Sequence, residues 1–554
     1  MNLLKPIVNE INDLLIKSNL DEAVDLRISN IDHYDYQINN LVKHQNHPDI
    51  EAIKERVGEA LFSSELIKEF EFAKNLFINL KINAELIIED LKNVDKHILL
   101  TKKEEIIIDY GGPNVGKPLH VGHLRPLNIG RSIYNTNKIV GNKVYSDIHL
   151  GDWGMPVAQI ITYCELENLN LDDISIEMLE EIYPNASVKY RSDKKFKEKA
   201  QEKNKLLTSG DELTLQNWKK ISDVTINALK ETLAMLHHDF DYWWGESNVN
   251  NLIPDMLKSL EINGKIEKDD GALISAESTD PRILITKSDG SYLYLTTDLA
   301  TVLLRNKEIP HDKVLYVTDN RQKLHFEQLF KSIQFFDFPS KEYDHIGFGT
   351  INDSNGNPLK TRDGGNLKLA DLYDQAYSYI KGINTELAEE DIHCLTNTVL
   401  TYSDLITNRK TDYKFDLEKF TNVSGKTGIY VQYAQVRANK LISTLGMVEQ
   451  PLSQPPQVLD SLDRKLIIAL ANIEFYLELS LKNSEPHHLA NYLYEISNVF
   501  NSFYQDSNIN NMENKIEFEN DIRKVKKQKQ SFMVRWLMDL GIVKTNEGAQ
   551  IILI

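Results

Sequence analysis

Two histidines three residues apart are candidate catalytic side chains in this sequence. His120 and His123 belong to the segment Pro118-Leu119-His120-Val121-Gly122-His123. In the first turn of a helix, residues at this spacing face the same way. A helix N-terminus attracts anions, so two imidazoles there could donate hydrogen bonds to charge that develops on a phosphate. The pair would then serve a reaction that uses a nucleotide.

Two other kinds of site, a zinc site and a Walker phosphate-binding loop, do not fit the sequence. A zinc site needs further ligands, yet the sequence has no His-Glu-x-x-His pattern, and its two cysteines, Cys164 and Cys394, are far apart. A Walker A phosphate-binding loop is excluded as well. Gly425-Lys426-Thr427 would be its last three residues, but Phe420 occupies the position of its first glycine. After Gly116-Lys117, Pro118 replaces the metal-binding hydroxyl. We therefore expect no protein-bound zinc, and a surface pair of histidines stays the alternative.

The histidine segment lies between a predicted strand and a predicted helix. Ile106-Ile107-Ile108 is typical of a buried strand, Gly111-Gly112-Pro113 of a turn, and residues from about 123 to 140 of a helix that ends at Gly141. A second strand over 144–150 completes a βαβ unit. This unit predicts a parallel sheet, whose carboxyl edge is where ligands bind.

The rest of the chain divides by its hydrophobic periodicity. Residues from about 165 to 245 are charged and helical, which predicts an insertion. Strand patterns resume at 272–274, 283–285, 292–295 and 314–317, and helical patterns follow from about 369, including 395–407, 427–445, 460–482 and 486–505. The predicted fold class is α/β: a Rossmann-like parallel-sheet domain over 99–375, a small α/β domain over 1–98, and an all-α helical bundle over 376–554.

Composition sets wider limits. A chain of 554 residues should form two to four domains, and its formal net charge of −19 neither supports nor excludes a nucleic-acid partner. No apolar run is long enough to cross a bilayer, and the first residues have amphipathic helical periodicity, unlike a secretory signal. With only two distant cysteines, a reducing cytoplasm is the expected location.

The longer pattern around the histidines resembles a known family. Pro113-Asn114, Lys117-Pro118 and His120-Val121-Gly122-His123-Leu124-Arg125 resemble the signature region of class I aminoacyl-tRNA synthetases in the form used by arginyl enzymes. Gly111-Gly112 and Arg125-Pro126-Leu127 depart from the usual family residues. Pro126 is tolerated only in the first helical turn, so we expect the helix to begin close to His123. Gly116 and Gly122 would let the backbone approach a ligand.

A downstream block resembles the second signature of the arginyl enzymes. Lys360-Thr361-Arg362-Asp363-Gly364-Gly365 stands where most class I enzymes carry Lys-Met-Ser-Lys. Lys360 and Arg362 would supply positive charge to the β- and γ-phosphates of ATP, and the two glycines a hinge. The resemblance implies that Lys117 replaces the missing second lysine. The conformation of the loop over 358–366 stays open.

Further blocks indicate the amino acid. Ser291 to Asp298 is predicted as a strand running into a turn, with Tyr294 and Asp298 on one face, where a phenol and a carboxylate could hold a guanidinium. The resemblance implies that both contact arginine, with Asp109 and Asn114 at its α-amino and carboxylate end and Gln322 as another contact. It also places Gly151-Asp152-Trp153-Gly154 beside the substrates, with Gly151 and Trp153 near ATP. Core packing for Tyr294 and a helix N-cap for Asp298 remain alternatives.

One helical segment could contact RNA. Tyr430, Tyr433 and Arg437 stand at i, i+3 and i+7, and aromatics with an arginine on one helix face can stack unpaired bases. The segment resembles the anticodon-binding domain of the arginyl family, and residues 1–98 resemble its N-terminal domain, which touches the outer corner of tRNA. An amphipathic core stripe is the alternative for the three side chains.

The resemblance implies an arginine–tRNA ligase. Arginine and ATP, which enters with Mg²⁺, would form arginyl-adenylate, and the arginyl group would pass to the 3′ end of tRNA(Arg). In this family tRNA is usually needed even for the first step, and the enzymes are usually monomers. A synthetase for another amino acid, a noncatalytic tRNA-binding paralogue and a nucleotidyltransferase of the same superfold are the alternatives. The paralogue predicts damaged histidines, and the nucleotidyltransferase would not need the long helical C-terminus.

Overall fold

The computed structural model describes residues 4–20, 24–29, 31, 33–91, 103–276, 282–288, 290–359, 367–383, 385–445 and 461–506. The chain divides into two compact units: Met1–Thr101 together with Lys419–Ile554, and Lys102–Glu418. None of the described helices is both long and apolar enough to cross a membrane.

The N-terminal part contains a small sheet and three helices. In chain order its elements are α1 (Lys5–Lys17), β1 (Leu26–Ile28), β2 (Tyr36–Ile38), α2 (Ile50–Ser63), β3 (Ile67–Phe72), β4 (Ile78–Ile82) and α3 (Ala84–Leu91). The four strands pair antiparallel in the order β1-β2-β4-β3. Ile78, Leu80 and Ile82 of β4 are buried, because alternate strand residues face the same side.

The central part contains the larger sheet. Its elements are β5 (Glu105–Tyr110), α4 (Leu124–Ile139), β6 (Lys143–Asp147), α5 (Met155–Leu166), α6 (Ile176–Ser192), α7 (Lys194–Ser209), α8 (Glu212–Met235), α9 (Glu246–Val249), α10 (Ile253–Ile262), β7 (Ile266–Asp269), β8 (Ala272–Ser275), β9 (Leu284–Thr286), α11 (Tyr294–Glu308), β10 (Lys313–Val317), α12 (Lys323–Phe335), β11 (Glu342–His345), β12 (Ile351–Asn352), α13 (Leu369–Ile383), α14 (Glu389–Leu405) and β13 (Tyr413–Lys414).

The remaining described elements are helical. They are α15 (Leu417–Phe420), α16 (Gly428–Leu445), α17 (Ser461–Ala471), α18 (Ile473–Asn483) and α19 (His487–Asp506). The helical C-terminal region was predicted, and the helical pattern over 460–482 forms two helices that meet at Asn472. The predicted domain boundary between residues 375 and 376 falls inside α13, and residues up to Glu418 belong to the unit that holds the parallel sheet.

The central sheet is parallel, as the βαβ pattern predicted. Its strand order is β11-β10-β5-β6, and all three pairings are parallel. The chain adds β6 on one side of β5 and later adds β10 on the other, so the carboxyl ends of β5 and β10 form a topological switch point. An open α/β sheet has its ligand crevice at such a point. Ile106, Ile107 and Ile108 are all buried, as expected for a strand covered on both faces.

The predicted helical insertion over about 165–245 contains α6 to α8, which follow α5. These helices surround an apolar core that includes Val157, Ile160, Ile161, Leu179 and Ile221. A separate antiparallel sheet, β7-β8-β9, follows in the chain.

The strand predicted over 292–295 is wrong. Tyr294 is the first residue of α11, in which Thr296, Leu299 and Ala300 are buried at helical spacing. The hydroxyl of Thr296 donates to the carbonyl of Ile285 in β9 and ties the first turn to that strand. Aromatic and β-branched residues favour a strand locally, but the burial of this apolar stripe outweighs that preference.

Within the first unit, the N-terminal sheet and the C-terminal helices are joined directly. The guanidinium of Arg464 on α17 donates to Asp35 through Nε at 2.8 Å and also to the carbonyl of Ile82. The buried Tyr36 hydroxyl donates to Asn472 Oδ1 at 2.9 Å. Residues as far as 436 positions apart in sequence thus form one body.

Candidate active site

A cavity of about 850 Å³ opens at the carboxyl ends of β5 and β10. The predicted site residues that line it come from the turn after β5, the turn after β6, and helices or turns that flank β10. They are Asp109, Asn114, His120, Gly122, His123, Gly151, Tyr294, Asp298 and Gln322. The fold therefore brings together residues that lie far apart in the sequence.

The two histidines cap one helical turn reciprocally. His120 is the extended N-cap residue of the turn Val121–His123, and its Nδ1 accepts the N–H of Gly122 at 3.1 Å. His123 Nδ1 in turn accepts the N–H of His120 at 3.0 Å. Helix α4 begins directly after them at Leu124, so the predicted start close to His123 is confirmed. Because both Nδ1 atoms accept, a neutral ring carries its proton on Nε2, where it can be donated to a ligand.

Burial keeps these rings neutral. Burial, together with the nearby Lys117 ammonium, lowers the pKa of His120. Burial and the neighbouring His120 ring lower the pKa of His123 to about 3. The ring centroids are 4.0 Å apart, so a charge on one ring would also repel a charge on the other. At neutral pH the pair consists of two neutral hydrogen-bond donors.

Two glycines leave room for polar side chains of the cavity. A Cβ on Gly122 would lie 2.8 Å from Cε1 of His120. A Cβ on Gly151 would lie 2.3 Å from Oδ1 of Asn114, and the Gly151 backbone pairs with the Pro113–Val115 segment. Each glycine thus permits a close approach that a larger residue would prevent.

A buried arginine lies beneath Asp109. Nη2 of Arg305, on α11, is 2.6 Å from Asp109 Oδ2 and 2.6 Å from Asp147 Oδ2 at the end of β6. Arg305 is 1% exposed. Burial raises the pKa of Asp109 against the attraction of Arg305. For Asp147 burial acts in the same direction, but Arg305 and His149 outweigh it and lower its pKa to about 2.

Tyr294 and Asp298 both line the cavity from helix α11. They stand four residues apart, and four residues is close to one helical turn, so they share a face. Asp298 lies in the second turn of α11, so the alternative that it caps the helix N-terminus is wrong. Its Oδ2 is 2.6 Å from Nε2 of His325, which is on α12.

Glu246, the first residue of α9, also lines the cavity and was not predicted. Burial raises its pKa to about 7. The turn after β6 holds it in place, because Asp152 Oδ1 accepts the N–H of Ser247 at 2.9 Å and Leu150 accepts the N–H of Glu246 at 3.1 Å. No local motif marks Glu246, since the bond that anchors its turn joins residues 95 positions apart. His325 was within reach of sequence reasoning, because it follows Gln322 by three residues, one helical turn.

Some predicted residues are not part of the cavity lining. The Lys117 ammonium lies 3.9 Å from the centroid of the Tyr183 ring. Gly116 packs in the interior instead, where a Cβ would lie 2.5 Å from Cδ1 of Ile160. Trp153 packs edge-on against Trp218, whose Nε1 donates to the Asp152 carbonyl at 2.6 Å. Lys360 and Arg362 lie outside the described residues.

The predicted RNA-contacting residues lie on α16, in the other unit. The Tyr430 hydroxyl donates to Asn498 Oδ1 at 2.7 Å, and Arg437 donates to Asn501 Oδ1 at 2.7 Å. The Arg437 guanidinium also lies 4.2 Å from the centroid of the Tyr433 ring, and this ring is 47% exposed. Tyr433 is therefore accessible, whereas Tyr430 and Arg437 are half-buried.

Family comparisons match both parts of the chain. The family described as tRNA synthetases class I (R), catalytic domain, matches residues 85–417, which is more than half of the chain. The family described as DALR anticodon binding domain matches residues 431–530.

Individual proteins give the same picture. Proteins named arginine–tRNA ligase from Francisella tularensis and Agathobacter rectalis are 33% and 34% identical to this chain, and each match covers 83% of this chain and 85% of the relative. The solved arginyl-tRNA synthetase from Plasmodium falciparum has the same fold, with a TM-score of 0.76 at 22% identity over 98% of both chains. The Thermus thermophilus enzyme gives a TM-score of 0.74 at 18% identity, over 98% of this chain and 99% of that one.

Proposed function

The chain belongs to the arginyl-tRNA synthetase family of class I aminoacyl-tRNA synthetases, and we propose that it works as an arginine–tRNA ligase through the cavity described above. It activates L-arginine with ATP to arginyl-adenylate, releasing pyrophosphate, and transfers the arginyl group to the 3′ end of tRNA(Arg), releasing AMP. One observation supports the assignment of this reaction to the cavity: neutral histidine donors and the carboxylates Asp298 and Glu246 line the same space. Such a space suits a phosphate and a guanidinium together.

The histidine pair acts on ATP, which binds as its magnesium complex. An oxygen of the arginine carboxylate attacks the α-phosphorus, the bond to pyrophosphate breaks, and negative charge builds on the α-phosphate oxygens. His120 and His123 donate Nε2–H to those oxygens, and their capping bonds hold the rings in place beforehand. Lys117, Lys360 and Arg362 supply positive charge to the departing pyrophosphate.

Glu246, Asp298 and Tyr294 hold the arginine side chain. A guanidinium favours paired carboxylate oxygens, and its charge would favour the ionised form of Glu246, whose pKa is about 7 without ligand. Asp109 and Asn114 hold the α-amino and carboxylate end, and Gln322 is a further arginine contact. The support for these roles is their common cavity and the agreement of their order with the family pattern. Gly151 supports Asn114, since a larger residue there would displace it.

The other unit contacts tRNA. Tyr433 and Arg437 present a stacking surface for anticodon bases, with Tyr430 as a half-buried support, and the match of 431–530 to an anticodon-binding family agrees with this role. Residues 1–98 contact the outer corner of tRNA, the catalytic domain extends to about residue 417, and the helices after it form the anticodon-binding domain. The enzyme acts as a cytoplasmic monomer, without a protein-bound zinc ion.

Amino-acid-dependent exchange of pyrophosphate into ATP tests the function. We expect arginine to stimulate exchange, more so with tRNA present, and the other standard amino acids to do so far less. Citrulline is the sharpest competitor, because it has the shape of arginine but no charge, and a site built on Asp298 and Glu246 should reject it. Equal exchange with citrulline, or faster exchange with another standard amino acid, would contradict the assigned specificity.

A further inference from the structure

His325 and Asp298 form a close pair inside the cavity. Nε2 of His325 is 2.6 Å from Oδ2 of Asp298, and the side chains are 32% and 29% exposed. Each residue is fixed on its own helix, Asp298 on α11 and His325 on α12. In the described part of the chain, His325 is the hydrogen-bond partner of the Asp298 carboxylate.

This arrangement creates a competition. A guanidinium binds a carboxylate best through two parallel hydrogen bonds, one to each oxygen. His325 already occupies Oδ2, and a protonated His325 would place a second positive charge beside the arriving substrate. The histidine can therefore align Asp298 in its neutral form but opposes arginine in its charged form.

We propose that His325 is a positioning residue for Asp298 that releases its proton when arginine binds, so that arginine affinity rises with pH. The proposal rests on the function assigned above, in which Asp298 contacts the guanidinium. His325 itself need not touch the substrate, because it acts through the orientation and charge of Asp298.

The surroundings of His325 favour the charged form before arginine binds. The hydrogen bond to Asp298 raises its pKa, although burial opposes this. Helix α12 also carries Lys323, and the other titratable or charged side chains that line the same cavity are Asp109, Tyr110, His120, His123, Arg125, His149, Glu246, Tyr294, Tyr316, Asp319 and Arg321. Arg321 is paired with Asp319 at 2.7 Å, which balances the charge of both.

The sign of the pH dependence follows from these charges. Without arginine, His325 has a raised pKa and holds a proton in mildly acidic solution. When the guanidinium pairs with Asp298, its positive charge lies beside the imidazolium, so the pKa of His325 falls and one proton leaves, while the neutral ring keeps its Nε2–H bond to Oδ2. Between the raised pKa of the free enzyme and the lower pKa of the complex, each proton that must be released weakens arginine binding about tenfold for every pH unit of acidification, so affinity rises with pH. Glu246 adds a second, separate release, because its carboxyl group also ionises beside the guanidinium.

Calorimetry can count these protons. Arginine is titrated into the full-length enzyme at pH 6 in buffers of different ionisation enthalpy, and the KM for arginine is measured from pH 6 to 8. We expect the unaltered enzyme to release about two protons, and His325→Gln and Glu246→Gln about one each. The glutamine amide introduced by His325→Gln keeps a neutral donor at the position of Nε2. His325→Gln should therefore have a flatter KM profile, an unchanged kcat and, at pH 8, a KM within about threefold of the original.

Two further variants separate the roles of charge and position. His325→Ala loses the donor as well and should raise the KM at every pH, which the glutamine variant should not. His345→Asn is the matched control, since His345 stacks on the neighbouring Phe326 but does not line the cavity. It should keep the proton release and the KM profile of the original enzyme.

The outcomes distinguish this proposal from the function on which it rests. Unchanged proton release in His325→Gln, with Asp298→Asn still weakening arginine, would overturn the role of His325 alone. Arginine binding that is insensitive to Asp298→Asn would overturn the assignment of the guanidinium site, and with it the role of His325. If His325→Gln releases about one proton fewer than the unaltered enzyme on arginine binding, and His345→Asn releases the same number, the role of His325 is supported.

Discussion

Two groups of side chains in one cavity respond to burial in opposite ways. The histidine pair, His120 and His123, has lowered pKa values, whereas Asp109 and Glu246, two members of the carboxylate group that Asp298 completes, have raised ones. Burial disfavours charge in both cases. The pKa values move in opposite directions because a histidine is charged when protonated and a carboxyl group is charged when ionised. The two groups also differ in their partners: the histidines accept backbone N–H groups, while Asp109 and Asp298 have charged or chargeable partners in Arg305 and His325.

This contrast shows how one space can serve two chemical tasks. The histidine pair is complete without a ligand and presents fixed, neutral donors, which suits stabilisation of a transition state. Burial disfavours the negative charge of these carboxyl side chains, and a cationic ligand reduces that cost. This arrangement suits selection of a cationic substrate. Changes to the histidine pair should therefore affect kcat, and changes to the carboxylate group should affect the KM for arginine.

The largest expected effect comes from removing the cation beneath the carboxylate group. Arg305→Met leaves Asp109 and Asp147 buried without their shared guanidinium and should lower the free energy of unfolding by about 3–5 kcal/mol, measured by urea denaturation. Arg321→Met, which removes an exposed arginine, is the control and should change it by about 0.5 kcal/mol or less. Adding Asp147→Asn to Arg305→Met should recover part of the loss. Equal losses for the two single variants would contradict a structural role for the buried cluster.

The next largest effect should come from the histidine pair. His123→Ala removes one preorganised donor and should lower kcat for arginine activation by about 10²–10³-fold, with little change in the KM for arginine. Pyrophosphate exchange measures both constants. His123→Gln, whose amide can reach the position of Nε2, should retain more activity than the alanine variant. Normal activation by His123→Ala would remove the pair from the reaction.

A smaller effect is expected from the carboxylate group. Asp298→Asn keeps the shape of the side chain but loses the charge that pairs with the guanidinium, and should raise the KM for arginine by about 10- to 100-fold. The value of kcat at saturating arginine should change much less. If kcat fell while the KM stayed constant, the contrast between the two groups of residues would be wrong.

The smallest effect should be the response of kcat to pH. A lowered histidine pKa means that a proton binds only at a lower pH than usual, and because the pKa of His123 is about 3, this ring stays neutral from pH 6 upward. Between pH 6 and 8, kcat should change by less than about twofold from this source, while the KM for arginine falls. An acid limb in kcat centred near the ordinary histidine pKa would show that at least one of the rings titrates normally.

Much of the fold follows from local patterns. The β5–α4–β6 unit was predictable because its buried isoleucines, its turn glycines and its helix-ending Gly141 lie next to each other in sequence. The first turn of α11 was not, since Tyr294 to Thr297 has the composition of a strand and becomes helical through packing against β9. Tyr294 and Asp298 still share a face, because residues four apart do so at both the strand and the helix period.

The family, the parallel sheet and nine residues of the cavity lining were predictable from residue patterns, because they depend on spacing within short segments and on the order of those segments. Only the tertiary structure decided that Glu246 joins them, that His325 pairs with Asp298, and that Arg305 lies beneath Asp109. It also decided the protonation of the histidine pair, which depends on burial and on backbone donors. Burial and long-range ion pairs form only when folding brings distant segments into contact, and residue spacing does not show which segments those are.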